Sequence, residues 1–356
     1  MKNLCIAFGL LLLVILVTCK PPSKSEASSI RQYLQENHPN FSGAILATRD
    51  DRIILKQGFG MADYEKEIAN TTHTQFLIAS MTKQFTAMGI IILQERGRLN
   101  VNDPICQYIR DCPEAWETIT IHQLLTHTAG IPDRLPYSEP VSFEWTPDEV
   151  VATFENEALE FTPGTQYDYC NPCYILLGQI IVQASGETYA SFMAENIFEP
   201  LGMPNSGYDP VGQAFDHPAN GYFIHNGEMI PSTIDNTSVA YSAGGLHASV
   251  EDLYIWDQAL YTEQLVSWES LEAIFHPYIP VPFEEYGGDY GYGWFITEHA
   301  GHRMITHGGL MCGFTSFIAR FPNERVTVIV LSNVRDGNSE KGNIALEIAN
   351  LLFAGR

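Results

Sequence analysis

The most regular apolar periodicity in the chain follows Ser80. Met81, Phe85, Met88, Ile91 and Ile92 recur at helical spacing and Arg96-Gly97 supplies a stop, so this stretch predicts a buried helix. Upstream, residues 29–38 read as a short amphipathic helix. Residues 41–48 and 52–57 are β-rich runs around Arg49-Asp50-Asp51, which predicts a hairpin. Beyond Ser80 the signals stay mainly helical to about residue 245. Residues 119–125 open a helix that Gly130-Ile131-Pro132 closes. Thr146-Pro147-Asp148-Glu149 joins a cap to a proline at the first helical position, and Asn171-Pro172 begins a run that ends at Ser185-Gly186.

The C-terminal part changes period. Residues 291–297, 303–306, 314–321 and 325–331 alternate or run apolar, with turns at Ala300-Gly301 and Pro322-Asn323, and a last helix is predicted over about 338–353. Strands near both ends with helices between them predict an α/β (α+β) fold. Its one antiparallel sheet is built from N- and C-terminal strands and flanked by helices, with a mostly helical region, about 80–245, inserted. No internal repeat is visible.

The first residues stand apart from this pattern. Lys2 and the apolar run 6–17 predict a signal peptide over 1–18, the run being too short to span a bilayer comfortably. Leu16-Val17-Thr18-Cys19 resembles a bacterial lipobox with a lipidated Cys19, although Thr18 stands where Gly, Ala or Ser is usual. Residues 19–29, rich in Pro, Ser and Lys, read as a tether, which leaves 30–356 as the folded domain.

The chain has 356 residues and a formal net charge of -23, from 42 acidic and 19 basic side chains. That is length enough for a full core. Such a surface repels phosphate backbones and anionic lipid, which excludes nucleic acid as a partner and leaves the N-terminal lipid as the expected membrane contact.

Export permits disulfides among the cysteines. Cys106 and Cys112 can meet if the helix starting at Asp103-Pro104 is short; a helix running through both would hold them too far apart. Cys170 and Cys173 form a lone C-x-x-C with no second pair at metal-ligand spacing, so zinc is not expected. These two and Cys312 read as free thiols. His122 and His127 misalign on a helix and lack an H-E-x-x-H context, so both read as structural.

Chemistry enters with Ser80 and Lys83, one helical turn apart on one face. A serine needs a base to become a nucleophile, and a lysine serves only if desolvation or nearby cations lower its pKa. The alternative is a serine cap followed by an ordinary surface lysine, and S-x-x-K alone favours it. Two further motifs reverse that balance. Tyr169-Cys170-Asn171 precedes a helix, and His307-Gly308-Gly309-Leu310 ends a predicted strand.

With these three motifs in order, the chain resembles the serine β-lactamase and penicillin-binding protein superfamily over about residues 30–356. The nearest branch is that of class C β-lactamases, serine D-alanyl-D-alanine carboxypeptidases and related esterases. Leu124-Leu125-Thr126-His127-Thr128-Ala129-Gly130 and Ser242-Ala243-Gly244-Gly245-Leu246 extend the likeness. The resemblance implies catalysis by Ser80, Lys83 and Tyr169 through an acyl-enzyme, with no metal or organic cofactor and a small-molecule or peptide substrate. It further implies substrate-binding roles for Asn171, His307, Gly308, Gly309 and Leu310, with the backbone N–H groups of Ser80 and Leu310 as an oxyanion hole.

Two departures bear on substrate. Class C enzymes carry Lys-Thr-Gly where this chain has His307-Gly308-Gly309, which removes a fixed charge and a hydroxyl. Charge-assisted bonds of that kind are worth about 1.5 to 3 kcal/mol each. Peptidases, esterases and D-amino-acid amidases therefore fit better than a β-lactamase, with cell-wall D-Ala peptides the leading natural substrate. Cys170 replaces the more usual serine of Tyr-Ser-Asn. From a different class, a non-catalytic penicillin-binding-like scaffold is the alternative, but it has no physical need for Ser80, Lys83, Tyr169 and Asn171 together.

Overall fold

Residues from both ends of the chain meet in one antiparallel sheet. The structure, a computed structural model, describes residues 24–135, 144–210, 215–232, 237–282, 287–336 and 341–354; the expected signal peptide and Cys19 lie outside them. Strands β1 (Gly43–Arg49) and β2 (Arg52–Phe59) form the expected hairpin. The C-terminal part supplies β3 (Ile279–Pro280), β4 (Asp289–Tyr290), β5 (Phe295–His299), β6 (His302–Met311), β7 (Phe314–Phe321) and β8 (Val326–Ser332). Across the sheet they run β3-β4-β5-β6-β7-β8-β1-β2, so the N-terminal hairpin closes onto the last strand, with Ala44 opposite Leu331 and Ala47 opposite Val328.

Successive side chains of a strand point to opposite faces. Ile45, Ala47, Val328 and Val330 face a layer made of α1 (Lys24–Asn37) and the C-terminal helix Lys341–Ala354, where Ile30, Leu34, Ile344, Ile348 and Leu352 are buried. Leu46, Ile318, Ile329 and Leu331 face the helical region instead. Both faces are covered, which is why Val328-Ile329-Val330-Leu331 reads as an unbroken apolar run. Helix α1 begins at Lys24, inside the stretch read as a tether. Glu26 in its first turn pairs with Arg49 of β1, and its apolar face has the sheet to cover.

The inserted region is organised by α2 (Thr82–Glu95), whose residues from Thr82 to Leu93 are all buried, and by α3 (Asn171–Ser185), which Gly186 ends in a left-handed conformation. The region also contains strands that the sequence pattern did not separate from helix. Tyr222–His225 pairs with Glu228–Pro231 and, in parallel, with Val334–Asp336. These runs are short and largely exposed, so they carry no strong apolar period.

The cysteines resolve differently from expectation at one pair. The helix expected after Asp103-Pro104 is only a 3-10 turn, Ile105–Gln107, and Cys106 and Cys112 are bonded across 5.3 Å between Cα atoms. Cys170 and Cys173, expected as free thiols, are also bonded. Cys170 is the extended cap residue of α3 rather than part of it, and the chain turning there brings the two sulfurs together. Cys312 is a buried free thiol, as expected.

One charged pair ties the helical layer to the sheet. Arg320 of β7 donates to Asp257, whose carboxylate also accepts from Thr327 of β8 at 3.0 Å, and both charged residues are buried, at 1% and 0% exposure. Removing one member strands the other charge in the interior. Asp257→Ala is expected to lower unfolding free energy by about 3 to 5 kcal/mol in urea titrations.

Candidate active site

Ser80 sits in a 3-10 turn, Ala79–Met81, that leads straight into α2. The approach to it is held from two sides. Ile78 N–H donates to Leu246 O at 2.9 Å, and Ile78 O accepts from Ser316 Oγ of β7 at 2.6 Å. Ala79 then adopts a φ of +47°, a conformation that a non-glycine residue keeps only where its surroundings enforce it. Gly309 of β6 lies against the same turn. A Cβ there would fall 2.3 Å from Ile78 O and 2.8 Å from Ser80 N, so the strand can pass the serine only without a side chain.

Lys83 comes one turn later and is entirely buried, at 0% exposure. Its Nζ donates to Asn171 Oδ1 at 2.7 Å, to Ala243 O at 2.9 Å and to Ser80 Oγ at 3.3 Å. Three acceptors match the three protons of an ammonium. Of the three, only the serine hydroxyl can also donate. Loss of a proton from Lys83 therefore reverses the Ser80 bond and leaves the other two unchanged. Burial lowers the amine's pKa from its usual 10.5 to about 7, against the opposing influence of the Asp133 carboxylate.

Asp133 also sets the geometry of Asn171. Its Oδ2 accepts from Asn171 Nδ2 at 2.8 Å, which turns Oδ1 of that amide toward Lys83. Tyr169 approaches from the same end of α3, its ring centroid 4.8 Å from Lys83 Nζ. His127 lies beside the tyrosine with ring centroids 4.4 Å apart. The structure thus gathers Ser80, Lys83, Tyr169, Asn171 and Gly309 at one place.

His307 is placed otherwise than a substrate-facing residue. It is buried, its Nδ1 bonds Gly308 O at 2.6 Å and its Nε2 bonds the Tyr290 hydroxyl at 3.1 Å. A carbonyl only accepts, so Nδ1 carries the proton and Nε2 accepts. Burial, followed by the nearby Lys83, lowers its pKa to about 3, so the ring is neutral. Leu310, next along β6 after Gly309, is exposed at 52%.

Sequence reasoning missed Asp133, Tyr290 and Ser316, and it set His127 aside as structural. Asp133 lies one residue past the Gly130-Ile131-Pro132 stop, which marks a loop but not what the loop binds. Among the described residues no group of His, Cys, Asp or Glu is placed to hold a metal ion.

Close passage of β6 gives a direct test. Gly309→Ala must move either the strand or the serine turn, and misplacement of about 1 Å at a reacting group costs about 100-fold. A fall of about that size in kcat/KM toward a p-nitrophenyl ester is expected, together with a loss of about 1 to 3 kcal/mol of stability from overpacking.

Comparison with known proteins identifies the family and the fold. The Beta-lactamase family model matches residues 29–353. PbpX of Bacillus subtilis (strain 168), named as a penicillin-binding protein, is 31% identical over 323 residues, covering 91% of this chain and 78% of that protein. Among solved structures, the octameric penicillin-binding protein homologue from Pyrococcus abyssi superposes with a TM-score of 0.80 at 31% identity, over 93% of this chain and 77% of that one. D-amino acid amidase from Ochrobactrum anthropi SV3 reaches a TM-score of 0.83 over 93% of this chain and 100% of that one, at 22% identity, a likeness of fold. The chain belongs to the Beta-lactamase family and is a serine hydrolase of that fold.

Proposed function

We propose that the chain is an exported hydrolase that forms an acyl-enzyme at Ser80 and cleaves a small peptide, amide or ester. The observation that carries this reading is the fully buried Lys83, within 3.3 Å of Ser80 Oγ and with its pKa lowered to about 7. Ser80 Oγ bonds to the carbonyl carbon while its proton passes to Lys83 or, through the pair, to Tyr169. The leaving alcohol or amine departs with that proton. Water then attacks the acyl ester and returns a proton to the serine. Backbone N–H groups of Ser80 and Leu310 form the oxyanion hole, with Gly308 and Gly309 leaving room for substrate along β6. Asn171, held by Asp133, completes the binding edge.

Substrate preference follows from charge. His307 is neutral, and both its nitrogens are engaged within the protein. The position that carries a lysine in class C β-lactamases therefore offers no cation to a substrate carboxylate. D-configured peptides, amides and esters fit this site better than penicillins or cephalosporins, and cell-wall D-Ala peptides are the natural source we favour. Export follows from Lys2, the apolar run 6–17 and the lipobox-like Cys19.

A fluorophosphonate probe tests the acyl-enzyme: label is expected on the wild type and none on Ser80→Ala. Full acylation by Lys83→Ala would refute the base assignment. Nitrocefin turnover as fast as ester turnover would place the chain among β-lactamases instead.

The Lys83–Tyr169 pair also fixes the pH dependence. Its group is deprotonated above about 7 and protonated below, so kcat/KM should rise with an apparent pKa near 7 and level off above it. A rate independent of pH between about 5 and 9 would exclude this pair as the proton acceptor.

A further inference from the structure

We propose that His127 is the positioning residue for Tyr169, a clamp that fixes the chain on both sides of the phenol and holds a ring against it. The inference rests on Tyr169 taking part in the proton transfer described above. His127 O accepts from Asp168 N–H at 3.0 Å, and His127 Nδ1 accepts from Cys170 N–H at 3.0 Å. The residue left between these two bonds is Tyr169. Its ring lies 4.4 Å from the histidine ring, tilted by 31°, and 4.8 Å from Lys83 Nζ. The direction in which the phenol approaches Lys83 is thus set by His127 from three points.

The position makes three demands at once. It needs an acceptor close to the main chain, a flat ring, and a left-handed backbone, here φ +57°. Histidine and asparagine are among the residues that enter that region most readily, and of the two only histidine has the ring. Accepting at Nδ1 requires that the ring stay neutral with its proton on Nε2. Burial ensures neutrality, with Lys83 and His307 adding to it, and its pKa lies well below the usual histidine value.

A packing role does not account for this arrangement. Nε2 is buried without a hydrogen-bond partner, among the rings of Tyr290, Tyr174 and Tyr167 at 4.7, 5.0 and 5.9 Å. An unpaired buried donor is unfavourable, and a hydrocarbon ring would fill the same space without it. What a hydrocarbon ring cannot do is accept from Cys170 N–H.

Two variants of the full chain separate the clamp from simple filling. His127→Phe keeps a ring and loses the acceptor; His127→Asn keeps the acceptor and the left-handed backbone and loses the ring. For His127→Phe we expect a fall of about 30- to 100-fold in kcat, KM within about threefold, and an acid limb of the pH profile displaced from that of the wild type. His127→Asn should lose about 10-fold or less and keep the wild-type limb. A folded His127→Phe with wild-type kcat and limb overturns the clamp.

Circular dichroism identifies a variant that does not fold. In that case nitrogen-15 NMR of the wild type decides: His127 should show an unprotonated Nδ1 and no titration between about pH 5 and 9, and titration in that range overturns the proposal. The underlying reading fails separately. Wild type that takes no fluorophosphonate label refutes the acyl-enzyme, whereas label on wild type and both variants at equal rates refutes only the clamp.

Discussion

A buried ammonium beside a hydroxyl is the constraint that the helical region satisfies. An unpaired charge in an interior is strongly unfavourable, so every proton of Lys83 needs an acceptor. The acceptors come from three separate segments: the turn at Ser80, Asn171 at the head of α3, and Ala243 O in the short helix Tyr241–Gly244. These segments have to pack together closely, and bonds around Lys83 hold them. Thr86 Oγ1 donates to Ser242 O at 2.7 Å, and Ser242 Oγ donates to Tyr174 O at 2.8 Å. A Cβ on Gly178 would fall 2.1 Å from that Ser242 oxygen, so α3 can approach only with glycine there.

The sheet contributes the other wall of the site. Strand β6 passes Ser80 at Gly309, and its neighbour β7 reaches back through Ser316 to fix Ile78. Strand β7 in turn is held by β8, and β8 by the N-terminal hairpin, in a register that runs from Gly43 opposite Ser332 to Arg49 opposite Val326. A slip by one residue would turn every side chain to the opposite face, taking the valines now packed under α1 out of that layer and against the helical region. Register in a hairpin far along the sequence thereby helps set where the serine stands.

Local spacing made part of this legible in the sequence. Ser80 and Lys83 share one helix, so their proximity follows from helical geometry alone, and the strands of the C-terminal part follow from alternation. The rest depends on contacts that no local pattern encodes. Asp133 and His127 act from a loop, His127 with a left-handed backbone that nothing in Leu124-Leu125-Thr126-His127 announces. The Cys170–Cys173 bond depends on Cys170 lying just outside α3, a matter of one residue at a helix boundary. His307 was legible as a position in a motif, but its orientation was not. Whether it faces substrate or Tyr290 is decided by a tyrosine seventeen residues earlier, across the edge of the sheet.

Several local rules are broken around one hydroxyl. Ala79 holds a positive φ, Lys83 is buried without a carboxylate bonded to it, His127 keeps an unpaired donor, and His307 is held neutral in the interior. Each of these is unfavourable by itself, and each has an apolar or relaxed substitute that would pack as well. The buried charges of Arg320 and Asp257 behave conventionally, by pairing. Unfavourable features concentrated in this way are expected where geometry serves chemistry rather than stability. What they share is the direction of their effect. The backbone strain presents Ser80, burial brings the Lys83 amine near neutrality, and the neutral histidines leave that amine as the nearest group able to exchange a proton with the serine.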